Sequence, residues 1–129
     1  MRKWFVPVLA VCFCLCLFSC KKSSDSYIPP RPPAVDVTGT WNVDIYDEVG
    51  IFVETVSAVI TMETNGTITG LADGVNEITG RLSVYNIRLK VDDGFGTKLR
   101  GVVNVAGDSI MGEWIDRWFD WGTWDATKL

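Results

Sequence analysis

The 129-residue chain contains no histidine. That removes the commonest general base and the commonest metal ligand. Its four cysteines, Cys12, Cys14, Cys16 and Cys20, all lie within the first twenty residues. Past Cys20 no disulfide can form, and no thiolate is present to bind a metal or attack a substrate. Catalytic triads of the Ser-His and Cys-His kinds are therefore excluded. A Ser-Lys pair stays formally open, but no spacing points to one. Past Cys20 the chain also lacks any stretch of sustained helical spacing. Basic residues are in deficit, 12 against 16 acidic, for a net charge of −4. The charges are scattered, and an acidic chain is a poor match for nucleic acid, whose affinity comes mainly from phosphate neutralisation. Asp73, Asn76 and Glu77 are oxygen donors without the spacing of a calcium loop. Asp92-Asp93-Gly94 reads as a turn. We expect no metal, no cofactor and no enzymatic activity.

What is present begins at the N-terminus. Arg2 and Lys3 precede an uncharged apolar run from Trp4 to Phe18, followed by the small residue Ser19. This is the three-part layout of a secretory leader. The run is short for a membrane-spanning helix, which needs about 20 apolar residues, and Pro7 interrupts it. The sequence Leu17-Phe18-Ser19-Cys20 resembles the cleavage box of a bacterial lipoprotein. An ordinary leader cut near Ser19 is the competing reading. The resemblance implies that Cys20 is acylated and becomes the first residue of the mature chain. Membrane lipid would then be its first partner, because several acyl chains anchor where one holds only marginally. Loss of Arg2 and Lys3 with the leader (residues 1–19) takes the net charge to −6.

Residues 20–35 follow as a tether. Lys21-Lys22, three serines and four prolines (Pro29, Pro30, Pro32, Pro33) give it no periodicity. Its serine part reads as flexible and its proline part as stiffer and extended. The absence of an acidic run after Cys20 points to the periplasmic face of the outer membrane in a Gram-negative cell envelope.

Residues 36–129 alternate apolar and polar positions in short runs separated by turn signals. We expect strands over about 41–46, 52–63, 67–71, 77–82, 84–91, 97–105, 109–115 and 122–128. Asn65-Gly66, Asp73-Gly74, Asp92-Asp93-Gly94 and Ala106-Gly107-Asp108 turn the chain between them. Short links favour antiparallel neighbours in sequence order. Closing such a meander removes its open edges. The expected fold is all-β, an eight-stranded antiparallel up-and-down β-barrel, with a two-sheet β-sandwich as the alternative. Gly70, Gly80, Gly101 and Gly112 fall inside strands, where glycine permits the sharp bends of a curved wall.

Gly39-Thr40-Trp41 opens the first strand and Gly122-Thr123-Trp124 the last. A Gly-X-Trp at the start of such a meander resembles the lipocalin and avidin group, the calycins. The whole segment is similar to small lipocalin-like lipoproteins of the Bacteroidetes type. The resemblance implies that Trp41 closes one end of the barrel. Trp124, which parallels it, is expected to fill a core or barrel-end position. No ligand site carries over with the resemblance.

Trp114, Trp118, Trp121 and Trp124 crowd four of the six tryptophans into eleven residues. Trp118 and Trp121 flank the link between the last two strands, where burial is hard to arrange. With Arg117 they form the candidate contact site, suited to sugar rings, apolar ligands or a protein surface. Arg117 stacked on a neighbouring indole would instead be structural. Two functions compete. One is a barrel that holds a small apolar or amphipathic molecule, or a glycan, at its mouth. The other is a scaffold that binds an envelope protein and has no internal ligand. Bulky residues such as Trp41, Ile45, Tyr85, Leu89 and Leu99 could fill the interior and favour the second.

Overall fold

A computed structural model describes residues 31–129. The expectations placed on residues 1–30, acylation of Cys20 among them, lie outside the described residues. Eight strands form: β1 (Gly39–Tyr46), β2 (Phe52–Met62), β3 (Thr67–Ala72), β4 (Asn76–Ser83), β5 (Asn86–Val91), β6 (Thr97–Val103), β7 (Ser109–Ile115) and β8 (Trp121–Lys128). Each pairs antiparallel with the next, and β1 pairs with β8 from Trp41↔Lys128 to Tyr46↔Thr123. The sheet is a closed barrel, not a sandwich, and neither edge is left free to template another chain.

The alternation decides which face of each strand turns inward. Trp41, Val43 and Ile45 of β1 face the interior, as do Val56, Ala58 and Ile60 of β2. Thr40, Asn42, Thr55 and Ser57 face out. Glycines stand where strands approach most closely. A Cβ at Gly112 would lie 1.8 Å from the Arg100 carbonyl oxygen and 2.6 Å from the Gly101 Cα. Only a residue without a side chain lets β6 and β7 meet there.

Packing divides the barrel into two halves. The most fully buried large side chains are Trp41, Ile68, Leu82, Ile87, Val37 and Val103. All stand near the end where β1 begins and β4 and β6 finish. Trp41 lies across this end, 1 % exposed, and its indole N–H donates to the Val37 carbonyl at 2.9 Å. Val37 itself is wholly buried, so the segment preceding β1 belongs to the plug.

The compact unit also reaches back further than residue 36. It begins at Arg31. Val35 packs against the core. The Ala34 N–H donates to the Val84 carbonyl at 2.8 Å, and the Val84 N–H donates to the Pro32 carbonyl at 3.0 Å. This clamp explains a second difference. Val84 and Tyr85 are not the start of a strand but the two central residues of the β4–β5 hairpin. Val84 takes φ +56°, a conformation costly for a β-branched residue. Neither is a turn former; the N-terminal segment holds them in place.

Candidate functional site

The other end of the barrel is open. Four hairpin loops meet there: residues 47–51, 73–75, 92–96 and 116–120. An aspartate organises each. Asp47 accepts from the N–H groups of Val49 at 3.0 Å and Ile51 at 2.9 Å. Asp73 accepts from Ser57 N–H at 2.9 Å. Asp93 accepts from Phe95 N–H at 2.9 Å and from the Thr97 hydroxyl. Asp116 accepts from the N–H groups of Trp118 at 2.9 Å and Asp120 at 3.1 Å. Short side-chain oxygens of this kind satisfy backbone donors that the ladders leave unpaired. Partial burial pulls the Asp93 carboxyl upward, but the hydrogen bonds from Thr97 and Phe95 outweigh it and hold it below its ordinary value. It is ionised at neutral pH.

Inside this mouth lies a cavity of about 680 Å³. Its wall is apolar, built from Val43, Ile45, Val56, Leu89, Leu99 and Trp114 among others. None of the six large side chains that pack the closed half lines it. The space exists because inward positions near the mouth are small. Ala58 and Ala72 face each other across β2 and β3, and Gly122 lies beneath the indole of Trp114. Seven carboxylates line the cavity and its rim: Asp47, Glu48, Glu54, Asp73, Asp93, Asp116 and Asp120. No lysine or arginine lines it. The volume falls in the range of small-molecule sites, and the wall is apolar while the rim is negative.

Of the bulky residues that could have filled the interior, Trp41 is in the plug and Tyr85 in a hairpin turn. Only Ile45, Leu89 and Leu99 border the cavity, and they leave it open.

Trp124 does not lie at a barrel end. It stands level with Ile45 of β1, two inward positions above Trp41. It is 2 % exposed, and its indole N–H is shared between the carbonyls of Arg100 and Glu113, each at 3.1 Å. Its ring passes over Gly101 and forms part of the cavity wall. Trp121 begins β8 at the mouth, half exposed, and lines the cavity rim. Trp118 and Arg117 do not line the cavity. Arg117 sits over the Trp118 ring at 5.4 Å, and Trp118 meets Phe95 edge to face at 5.6 Å. Their cluster ties the 92–96 loop to the 116–120 loop. The arrangement thus takes in Trp121 and Trp124 and leaves Trp118 and Arg117 on the outer rim.

Phe95 and the four loop aspartates escaped the reading of the chain as site residues. Each looks like an ordinary turn residue, and only closure of the barrel brings the four loops together. Among the described residues no group of histidine, cysteine or carboxylate side chains could hold a metal ion. No protein-family model, no curated protein and no solved structure matches the chain.

Proposed function

We propose that the chain is a lipid-anchored lipoprotein of the cell envelope, tethered through an acylated Cys20, whose barrel binds a small molecule without catalysis. The observation that carries this reading is the cavity of about 680 Å³, open at one end and plugged at the other by Trp41 and Val37. An apolar wall takes the body of a ligand by excluding water from both surfaces. The ring of carboxylates sets the sign of the head group. It repels fatty acids and other anions, and it favours a cationic or hydroxyl-rich group at the rim. Short sugars satisfy the second condition, with Trp121 as a stacking surface. The plug at Trp41 also supports kinship with lipocalin-like lipoproteins.

Native mass spectrometry of the protein purified from its own host tests this. The expected result is a bound neutral or cationic molecule that leaves when Ala58 and Ala72 are both replaced by larger residues. A bare protein mass, with no saturable uptake from a panel of amphiphiles and oligosaccharides, would sink it.

A second reading, an envelope scaffold with no internal ligand, draws on Trp118 and Phe119, 58 % and 80 % exposed at the tip of the last hairpin. Changing Trp118 and Trp121 together to alanine should then abolish capture of a partner while the barrel stays folded.

A further inference from the structure

The outer wall carries a charge pattern that the cavity does not use. Residues 36–129 contain seven lysines and arginines. Five of them, Arg81, Arg88, Lys90, Lys98 and Arg100, are exposed on the outer face of β4, β5 and β6. They stand in register. Arg81 is opposite Arg88, Arg88 opposite Arg100, and Lys90 opposite Lys98. Like charges directly across a ladder oppose folding, and an acidic chain has carboxylates enough to interleave them. Only Glu113, opposite Arg100, closes the row.

Apolar side chains continue the two flanking rows. Lys98 is followed by Ile115 and then Trp121, 41 % and 50 % exposed. Val102 and Met111 form an exposed apolar pair on the next row down, 57 % and 70 % exposed. A groove of about 640 Å³ borders Arg88, Lys90, Lys98, Arg100, Ile115 and Trp121. Positive charge beside exposed aliphatic and indole groups is the make-up of a surface that sits at a lipid–water boundary.

The N-terminal segment leaves the barrel at the closed end of the same strands. Pro32 to Ala34 are clamped to Val84 in the β4–β5 hairpin, at the foot of the strands that carry Arg81 and Arg88. The eleven Cα-to-Cα steps from Cys20 to Arg31 span at most about 40 Å. A chain anchored at Cys20 is therefore held by the hairpin that adjoins the basic face.

We propose that the outer face of β4–β6, with Ile115 and Trp121, docks on the anionic lipid headgroups of the membrane that holds the anchor. This rests on the lipid-anchored reading of the chain. Docking would lay the barrel on its side, with its mouth at the edge of the bilayer. The partner is a phosphate-rich lipid surface, which relieves the repulsion among the paired cations.

The test uses the full chain, secreted and processed in a Gram-negative host and reconstituted on vesicles. Phosphatidylcholine vesicles are compared with vesicles containing phosphatidylglycerol. A water-soluble amine reagent labels surface lysines, and mass spectrometry reads the rates at Lys90 and Lys98, with Lys128 as the internal reference. Relative to Lys128, Lys90 and Lys98 should react roughly tenfold more slowly on the anionic vesicles. That protection should vanish in about 1 M salt, where the Debye length is about 3 Å. It should also vanish in the R88E/R100E variant, whose outward positions leave the core untouched and whose fold is checked by circular dichroism. Equal rates on both vesicles would overturn the proposal. So would protection by a soluble acidic polysaccharide with none on anionic vesicles. Acylation is read separately from the mass of the N-terminal peptide, and cavity binding from native mass spectrometry, so failure of either reading leaves the lysine result standing.

Discussion

Replacing Ala72 by leucine separates an open barrel from a filled one by the sign of the stability change. Ala72 ends β3, faces inward at 5 % exposure and lines the cavity. Its cross-strand partners are Ala58 and Asn76, so no large apolar neighbour stands beside it in the ladder. In a close-packed interior, the added carbons force neighbours off their rotamers and cost about 1–3 kcal/mol. In a cavity of about 680 Å³ they meet apolar wall on one side and water on the other. Complete burial of three carbon groups would contribute about 2.4 kcal/mol, and half-burial about 1.2. Ordering the leucine side chain takes back about 0.5–1 kcal/mol. The expected change therefore lies between zero and about 0.7 kcal/mol of added stability. For a domain of this size that is a melting temperature unchanged or raised by up to about 5 °C. Urea denaturation followed by tryptophan emission supplies the free energy. A loss of more than about 1 kcal/mol with an unchanged m value would mean that side chains already occupy the space, and the reasoning would fail.

Three further perturbations probe the frame around the cavity. Trp41→Phe removes the indole N–H and leaves the buried Val37 carbonyl without a donor, which should cost about 1–3 kcal/mol in chemical denaturation; a neutral outcome would remove Trp41 as the plug. Gly112→Ala drives a Cβ into the Arg100 carbonyl and the Gly101 backbone, so β6 and β7 must separate, and a loss of about 2 kcal/mol or more is expected in the same assay. Asp93 and Asp36 both have carboxyls held below the ordinary aspartate value, Asp36 chiefly by the Thr38 backbone N–H. A depressed folded-state pKa gives stability that is present above the unfolded value and lost as pH falls through the folded one. Melting temperature should thus be flat near neutrality and decline below about pH 4, with a shallower acid limb in Asp93→Asn; an unchanged limb would detach Asp93 from the loop.

The wall of the barrel was legible in the chain because alternation and short links suffice for an antiparallel meander, and an unclosed one would leave two long edges. Strand β7 falls where the pattern puts it, at Ser109–Ile115. The pattern misleads at Val84 and Tyr85, two good strand formers that become a turn because Pro32 and Ala34 bond to Val84 from a segment with no periodicity of its own. It overruns at Asn104 and Val105, where the Asn104 side chain accepts from the N–H groups of Asp108 and Ser109 and ends the ladder. The site was less legible. Whether an eight-stranded barrel is solid depends on which inward positions share a level, and Ala58 meets Ala72 only through the register of β2 with β3. The acidic rim is distributed over four separate loops, each aspartate being an unremarkable turn residue until closure gathers them. Trp118 and Trp121 stood out by density and by flanking the last link, and the fold separates them: Trp121 lines the rim, while Trp118 holds two loops together.

The most direct measurement is a titration of intrinsic tryptophan emission, since Trp114 and Trp124 both line the cavity. Decyltrimethylammonium and decanoate have matched chains and opposite heads, and each is added at neutral pH below its micelle concentration. An apolar chamber with a carboxylate rim predicts saturable one-to-one binding of the cation, about tenfold or more tighter than the anion, with the gap narrowing as salt rises. No saturable change with either amphiphile, or tighter binding of decanoate, would contradict the account.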